Sequence, residues 1–281
     1  MRIVLWGTRG SIAVPGSKTI RYGGNTTCVE MDLLGEQKIV IDAGTGIREL
    51  GDELLARDRA VDIHLLVTHI HWDHILGFPF FAPIYIPETR IIVDGNIRGY
   101  KGLKTLFENR MGDGFFPVKF DELKANITFK DSLEKEHRTR IGETDIDSIR
   151  LHHPGGGLGF RFREESKTFV FLTDNELSES SWEGCNIDDY VRFCKGADLL
   201  IHDCQYTESE IVTRRGWGHT DTARALALAR DAEVKRLILY HHDPNRTDED
   251  MDQVVAGCRE WVERERACFT VEGAVEGEIF L

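Results

Sequence analysis

The 281-residue sequence lacks the features that would mark it as a membrane or secreted protein. It contains no apolar run of membrane-spanning length, so we expect no transmembrane helix and no membrane partner. The first residues, Met1 to Gly7, form only a short apolar stretch, and no small-residue cleavage site follows it. We therefore expect no secretion signal.

The chain has few cysteines, and it has fewer basic than acidic residues. The six cysteines form no Cys-x-x-Cys pair and no dense framework, which predicts reduced thiols in a cytoplasmic protein. Lysine and arginine number 35 against 48 aspartates and glutamates, which gives a formal net charge of -13. This surplus repels polyanions at long range and disfavours a large nucleic-acid footprint, whereas a small anionic substrate remains compatible with it.

Short β-branched runs alternate with helical patterns along the whole chain. The sequence predicts strands at Ile3–Trp6, Thr26–Leu33, Lys38–Asp42, Ile63–Val67, Ile91–Val93, Asp145–Leu151, Gly159–Arg163, Thr168–Thr173, Leu199–Asp203, Arg236–Tyr240, Cys268–Val271 and Gly277–Phe280. It predicts helices after Gly44 to about Arg57 and at Tyr100–Asn109, Asp188–Lys195, Asp221–Asp231 and Asp248–Arg264. Because the strands come in clusters with helices between them, we expect two mostly antiparallel sheets covered by helices.

Residues 94–125 are the least regular part of the chain and are rich in glycine and aromatic residues. A long irregular insertion in a compact enzyme often serves as a lid or as a contact between subunits. No linker or shift in composition divides the rest. We therefore expect one domain spanning residues 1–281, with the insertion acting as a lid, an oligomer contact or an ordinary surface excursion.

Four potential metal ligands crowd into the segment that follows the apolar run Ile63 to Val67. They are His69, His71, Asp73 and His74. A buried strand that ends in a loop opening a helix lets these side chains converge from one turn. Imidazole together with carboxylate suits zinc, with manganese and iron as close competitors, whereas magnesium and calcium sites consist mostly of oxygen.

Three further ligand candidates lie where predicted strands end. His153, Asp174 and His241 each follow an apolar strand directly or within two residues. A strand that stops at such a residue presents its side chain at the rim of a sheet, where several strands can share an ion.

The His-x-His-x-Asp-His pattern from residue 69 to residue 74, with the three distant candidates, resembles the metallo-β-lactamase superfamily over nearly the whole chain. The segments Gly7–Ser11, Asn25–Thr27, Ile41–Gly46 and Gly218–Thr220 resemble its ribonuclease Z and phosphodiesterase branch. The resemblance implies an α/β (α+β) fold, a four-layer αββα sandwich of two mixed β-sheets flanked by helices. It also implies a metal-dependent hydrolase.

Carried over by position, the resemblance implies two divalent metal ions, Zn²⁺ first with Mn²⁺ or Fe²⁺ as alternatives. One ion is assigned to His69, His71 and His153, the other to Asp73, His74 and His241, and Asp174 bridges both. Two such ions lower the pKa of a shared water toward neutrality, so a metal-bound hydroxide attacks the phosphoryl group. Asp73 is expected to be catalytic as well as a ligand, and Asp42 is expected to orient a ligand imidazole.

His219 follows Gly218 at the start of a predicted helix. It resembles the family histidine that contacts the scissile phosphate and protonates the leaving oxygen, a role worth about 10² to 10⁴ in rate. A helix-capping or surface histidine is the alternative interpretation.

Two ligand candidates have a histidine as direct neighbour. Family register favours His153 over His152 and His241 over His242, although the sequence leaves the second choice open. The pair His202-Asp203 ends another strand, and we expect it to contact ligands without binding the ions itself.

The leading interpretation is a phosphodiesterase that acts on a small nucleotide-type diester, with cyclic nucleotides as the first class. Arg9, Arg21 and Arg161 are candidate phosphate contacts, since guanidinium binds phosphate in a bidentate fork. The resemblance also favours a homodimer.

Two alternatives compete with it. A transfer-RNA 3′-processing endonuclease of the ribonuclease Z type generally carries a basic arm, whereas residues 94–125 mix basic and acidic side chains. A non-catalytic metal-binding scaffold is disfavoured because every ligand position of the pattern is filled.

Overall fold

A computed structural model describes residues 1–35, 37–57, 61–96, 103–112, 114, 116–178 and 185–280 of the chain. These residues form two seven-stranded sheets. The first contains β1 (Arg2–Gly7), β2 (Cys28–Asp32), β3 (Lys38–Ile41), β4 (Asp62–Val67), β5 (Arg90–Gly95), β6 (Asn126–Phe129) and β14 (Ile279–Phe280). The second contains β7 (Arg138–Ile141), β8 (Thr144–Arg150), β9 (Leu158–Glu164), β10 (Lys167–Leu172), β11 (Leu199–Asp203), β12 (Arg236–Tyr240) and β13 (Thr270–Gly273).

Helices cover the outer faces of both sheets. In the described residues they are α1 (Ile47–Arg57), α2 (Trp72–Ile75), α3 (Leu103–Arg110), α4 (Ser132–Lys135), α5 (Ile187–Cys194), α6 (Thr222–Asp231) and α7 (Asp248–Arg264). Short 3-10 helices lie at Phe78–Phe80, Ala82–Tyr85, Phe120–Glu122 and Ile211–Thr213.

Each sheet is half antiparallel and half parallel. The strand orders are β14-β1-β2-β3-β4-β5-β6 and β13-β12-β11-β10-β9-β8-β7. In the first sheet the pairs from β14 to β3 are antiparallel and those from β3 to β6 are parallel. In the second, the pairs from β7 to β10 are antiparallel and those from β10 to β13 are parallel. The mixed sheets implied by the resemblance are confirmed, and the expectation of mostly antiparallel pairing is wrong, because helical crossovers join the strands of each parallel half.

Alternating side chains of the strands build three separate apolar layers. Phe169 and Phe171 of β10 face the first sheet, whereas Val170 and Leu172 face helices α5 to α7. A third layer lies between the first sheet and the helices outside it, including α1. Burying each large apolar side chain contributes about 1.5–3 kcal/mol, so the two sheets and two helical layers hold together as the predicted αββα sandwich.

The start of α6 is fixed by a local cap. The Asp221 carboxylate accepts a hydrogen bond from the backbone N–H of Arg224 at 3.0 Å, which satisfies a donor left free in the first helical turn. This cap sets where the chain leaves the preceding loop. It thereby positions His219, two residues earlier.

The described part of the segment 94–125 is more regular than the sequence predicts. Helix α3 buries Phe107 against the core, with its ring centroid 4.3 Å from that of Phe78. Residues 97–102, 113 and 115 lie outside the described residues, as does the start of the helix predicted at Tyr100–Asn109. A role for this segment as lid or oligomer contact stays a prediction.

Two predictions from composition can be compared with the coordinates. Among the helices of the described residues, none combines the length and apolar character that crossing a bilayer requires. The six cysteines are all free thiols, as the sequence predicts.

Candidate metal centre

The candidate ligands converge at one rim of the sandwich, where strands of both sheets end. Asp42 follows β3, Asp174 follows β10 and His241 follows β12, and all three have φ between +54° and +60°. This left-handed conformation is uncommon for residues with a side chain and is tolerated best by Asp, Asn and His. Their side chains meet at the rim, where Asp42 contacts His74, and Asp174 contacts both His74 and His241.

Two groups of side chains share Asp174. The first comprises His69, His71, His153 and Asp174, and the second comprises Asp73, His74, Asp174 and His241. In each group the nearest nitrogen and oxygen atoms all lie within 4.8 Å of one another, and every member except His71 is buried. The structure thus brings together the seven side chains that the sequence singled out. Their function as metal ligands stays a prediction.

Two buried ring nitrogens, Nε2 of His69 and Nε2 of His74, make no hydrogen bond within the described part of the chain. The Thr68 hydroxyl donates to Asp42 at 2.7 Å, so we assign it as acceptor of the His69 Nδ1 proton at 3.2 Å. Nδ1 of His74 donates to Asp42 at 2.8 Å. The two Nε2 atoms then face Asp174 oxygens 3.5 and 3.2 Å away, and a cation bound there would contact both the nitrogens and the oxygens.

The two distant histidines are oriented in the same way. Nδ1 of His153 donates to the carbonyl of Gly218 at 3.1 Å, and Nδ1 of His241 donates to Oε1 of Gln205 at 3.0 Å. Each imidazole therefore turns Nε2 inward, where Nε2 of His153 lies 2.9 Å from Nδ1 of His71. Burial lowers the pKa of His153 to about 4, which keeps it in the neutral form that binds metals.

The carboxylates of the centre are ionised and anchored. Asp73 accepts the backbone N–H of Ser11 at 2.7 Å, and Asp174 accepts the hydroxyl of Thr173 at 2.9 Å. Burial raises the pKa of each carboxyl, but the surrounding imidazoles outweigh it and hold both pKa values well below the ordinary range. Burial lowers the pKa of His74, but Asp174 and the other nearby carboxylates outweigh it and raise this pKa well above the ordinary value. Anionic oxygens shared among imidazole nitrogens are a donor set that fits two divalent cations, which would take the place of such a ring proton.

His219 lies against the second group. It forms a third group with Asp174, Asp203 and His241, and its ring stacks on that of His241 with centroids 5.0 Å apart. Nδ1 of His219 donates to Asp203 Oδ2 at 2.7 Å. Burial lowers the pKa of His219, but Asp203 and the other nearby carboxylates outweigh it and raise the pKa to about 9.

Close approach explains why the residue before His219 is glycine. Gly218 has φ +89°, and a Cβ atom there would lie 2.0 Å from Nδ1 of His153. The Glu176 carboxylate accepts the backbone N–H groups of Gly216 and Gly218 at 2.8 and 3.0 Å. This carboxylate therefore holds the loop that carries both the His153 acceptor and His219.

The neighbouring histidines lie in different surroundings. His241 lies in the second group, whereas Nε2 of His242 donates to the carbonyl of Ala274 at 2.8 Å. Nδ1 of His152 lies 3.2 Å from the carbonyl of Glu176.

The three arginines singled out as phosphate contacts point elsewhere. The guanidinium of Arg9 is buried and donates to backbone carbonyls, including that of Gly23 at 2.7 Å. Arg21 forms a bidentate pair with Asp252, and Arg161 pairs with Asp147. The prediction that these arginines contact phosphate was wrong. The sequence alone does not distinguish an arginine that bonds to the protein itself from one that binds a ligand.

Several supporting residues were missed by sequence reasoning. Gln205 orients His241, and the backbone of Ser11 anchors Asp73. An uncharged amide two residues beyond a strand carries no signal of its own, and a backbone N–H is invisible in a sequence. Asp42 was predicted to orient a ligand imidazole, and it does so for His74.

The family model described as a beta-lactamase superfamily domain matches residues 37–242. Ribonuclease Z of Thermoplasma volcanium is 25% identical over 223 residues, covering 66% of this chain and 71% of the relative.

Solved structures show the same fold. The metallo-beta-lactamase fold protein YhfI from Bacillus subtilis superposes with a TM-score of 0.70 at 16% identity, covering 99% of this chain and 98% of that one. Unliganded yeast PDE1 superposes with a TM-score of 0.67 at 14% identity, covering 100% and 99%. The chain therefore belongs to the beta-lactamase superfamily and is a hydrolase of the metallo-β-lactamase fold.

Proposed function

We propose that the protein is a dinuclear metal-dependent phosphodiesterase that hydrolyses a small nucleotide-type diester, with cyclic nucleotides as the first class to test. The observation that carries the proposal is the position of His219. This histidine is paired with Asp203 and lies against ligand candidates of the second group. An acid beside a phosphoryl-binding centre is what cleavage of a diester needs.

His69, His71, His153 and Asp174 would hold one cation, and Asp73, His74, Asp174 and His241 would hold the other. When bound, two divalent cations act as Lewis acids toward the phosphoryl group and lower the pKa of water. Imidazole and carboxylate donors favour zinc, with manganese or iron as alternatives.

The protein itself contributes the proton donor, His219. Hydrolysis joins a water oxygen to phosphorus and breaks the bond from phosphorus to the leaving oxygen, which must gain a proton. Asp203 binds Nδ1–H of His219 and so leaves Nε2 as the atom that delivers this proton. Glu176 restrains the loop so that Nε2 stays beside the reacting phosphate.

A second candidate is transfer-RNA 3′ processing, because the relative from Thermoplasma volcanium is named ribonuclease Z. A net charge of -13 argues against a long RNA substrate. The resemblance further supports a single domain over residues 1–281 and a homodimer, which light scattering on the purified protein tests.

The decisive experiment is a substrate screen of purified protein loaded with zinc or with manganese. Cyclic mononucleotides, cyclic dinucleotides, linear diesters and precursor transfer RNA are compared by kcat/KM at two salt concentrations. We expect cleavage of a small diester with weak salt dependence. Preferred cleavage of precursor transfer RNA with a steep loss of affinity at higher salt would favour the endonuclease.

A further inference from the structure

A cavity of about 400 Å³ opens beside the proposed acid. His219 forms part of its wall, together with side chains from the loop before α6 and from the chain that follows Asp174. Leu177 and Ile211 contribute apolar surface, and Arg215 and Arg224 contribute guanidinium groups. This volume lies within the range of small-molecule sites.

The charged side chains of the cavity wall differ in whether they already have partners. The Glu176 carboxylate is occupied by two backbone N–H groups, and Asp221 accepts both the backbone N–H and the guanidinium of Arg224, at 3.0 and 2.5 Å. Arg215 is exposed and makes no hydrogen bond or ion pair with any described residue. Within the described residues, Arg215 is therefore a guanidinium of the wall whose N–H donors are free to bind a ligand, in a chain whose net charge is -13.

The position of His219 relates the cavity to one part of the substrate, the leaving group. A residue that protonates the leaving oxygen must lie on the leaving-group side of the phosphate. His219 belongs to a group with Asp174 and His241 and also lines the cavity, so the cavity adjoins the leaving-group side of the candidate centre. In that position the guanidinium of Arg215 is available to contact a group carried by the leaving portion of the substrate.

We propose that the cavity binds the leaving group of the diester and that Arg215 is a specificity-determining residue that binds a second phosphate on that group. The inference rests on the proposed phosphodiesterase function and narrows its substrate class. A 5′-phosphorylated linear dinucleotide or a cyclic dinucleotide has a second phosphate one nucleoside away from the scissile one, whereas a cyclic mononucleotide has none. Guanidinium binds such a phosphate through paired N–H donors.

The test uses two dinucleotides that differ only in a 5′-phosphate, pApA and ApA. Cleavage between phosphorus and O3′ releases a leaving nucleoside that carries this phosphate in pApA and lacks it in ApA. We expect metal-loaded wild type to prefer pApA by about 10-fold in kcat/KM, the scale of one charge-assisted hydrogen bond. Arg215→Gln should remove the preference and leave cleavage of ApA and of bis(p-nitrophenyl) phosphate unchanged.

Arg264→Gln is the matched control, because Arg264 is an exposed arginine at the end of α7, paired only with Glu265 in the described part of the chain. It should keep the preference for pApA. A wild type that cleaves pApA and ApA equally, or an Arg215→Gln variant that keeps the preference, overturns the inference. If Arg215→Gln loses activity only toward precursor transfer RNA, the proposal that the substrate is a small diester is overturned.

A binding measurement separates this inference from the proposed function. If wild type leaves all diesters intact, including bis(p-nitrophenyl) phosphate, the phosphodiesterase proposal fails. Calorimetry with adenosine 5′-monophosphate and with adenosine then still reports on the cavity. A loss of about 10-fold in affinity for the phosphorylated compound alone in Arg215→Gln supports the anion site, and equal affinities refute it.

Discussion

The candidate metal centre and the loop at residues 214–219 adjoin each other at His219 but are held in different ways. In the centre, ring nitrogens are fixed by buried partners such as Asp42, Thr68 and Gln205. The loop is held by the carboxylate of Glu176, and it exposes Arg215 and, by 59%, Trp217. From this contrast we expect that changes at the buried ligands abolish the chemistry, whereas changes at the exposed loop alter the choice of substrate.

The strongest test of the centre is Asp174→Ala. Asp174 belongs to both ligand groups, so its removal should release both ions and reduce turnover to background. Bound metal is measured by elemental analysis and turnover with bis(p-nitrophenyl) phosphate. The protein should remain folded by circular dichroism.

Asp147→Ala provides the comparison for Asp174→Ala. Asp147 is a buried carboxylate paired with arginines on the second sheet, and it belongs to neither ligand group. This variant should retain its metal. If Asp174→Ala also binds two ions per chain, the shared-ligand assignment is wrong.

At the loop, the largest expected effect belongs to His219→Ala. Metal content should be unchanged, while kcat should fall by at least about 10²-fold, because the leaving oxygen loses its proton donor. A substrate with a good leaving group, such as a p-nitrophenyl diester, should suffer less than a dinucleotide. Full activity toward dinucleotides would refute the acid role.

The contrast between the two regions also separates what the sequence predicts from what it leaves open. The ligand candidates lie at strand ends, so the strand pattern and the dense motif from His69 to His74 bring them to one rim. Strands β6 and β7 were missed, because each is four residues long and alternates polar and apolar or charged and uncharged side chains, with at least two exposed residues in each. An apolar run is the signal that finds a strand, and neither has one.

Sequence reasoning fails most clearly for arginine. Arg9 and Arg215 are chemically identical, yet Arg9 is fully buried among carbonyl groups while Arg215 lies unpaired, within the described chain, at a cavity. Only the tertiary arrangement tells the two apart. The partner of each side chain comes from residues distant in the chain, and one sequence carries no record of that pairing.

Removing a brace from the centre should have a smaller effect than removing a ligand. In Asp42→Asn, an amide N–H₂ group replaces one of the oxygens that accept protons from His74 and Thr68. We expect metal affinity to fall about 10- to 100-fold and unfolding free energy to fall by about 1–3 kcal/mol. Competition with a chromophoric chelator and urea denaturation measure the two quantities. Unchanged metal affinity would show that the His74 ring is fixed without Asp42.

The matching change at the loop is Glu176→Gln, which should have the smallest effect. The Glu176 carboxylate accepts both backbone N–H groups through Oε2, and the glutamine side-chain oxygen can accept them equally well. Only the charge is lost, and the accepting groups are uncharged amides at a partly exposed loop. We therefore expect unchanged metal content and a loss in kcat of about threefold or less, since a neutral hydrogen bond replaces a charged one. A loss as large as that of Asp42→Asn in metal affinity would mean that the loop and the centre form one rigid unit, and the contrast drawn between them would fail.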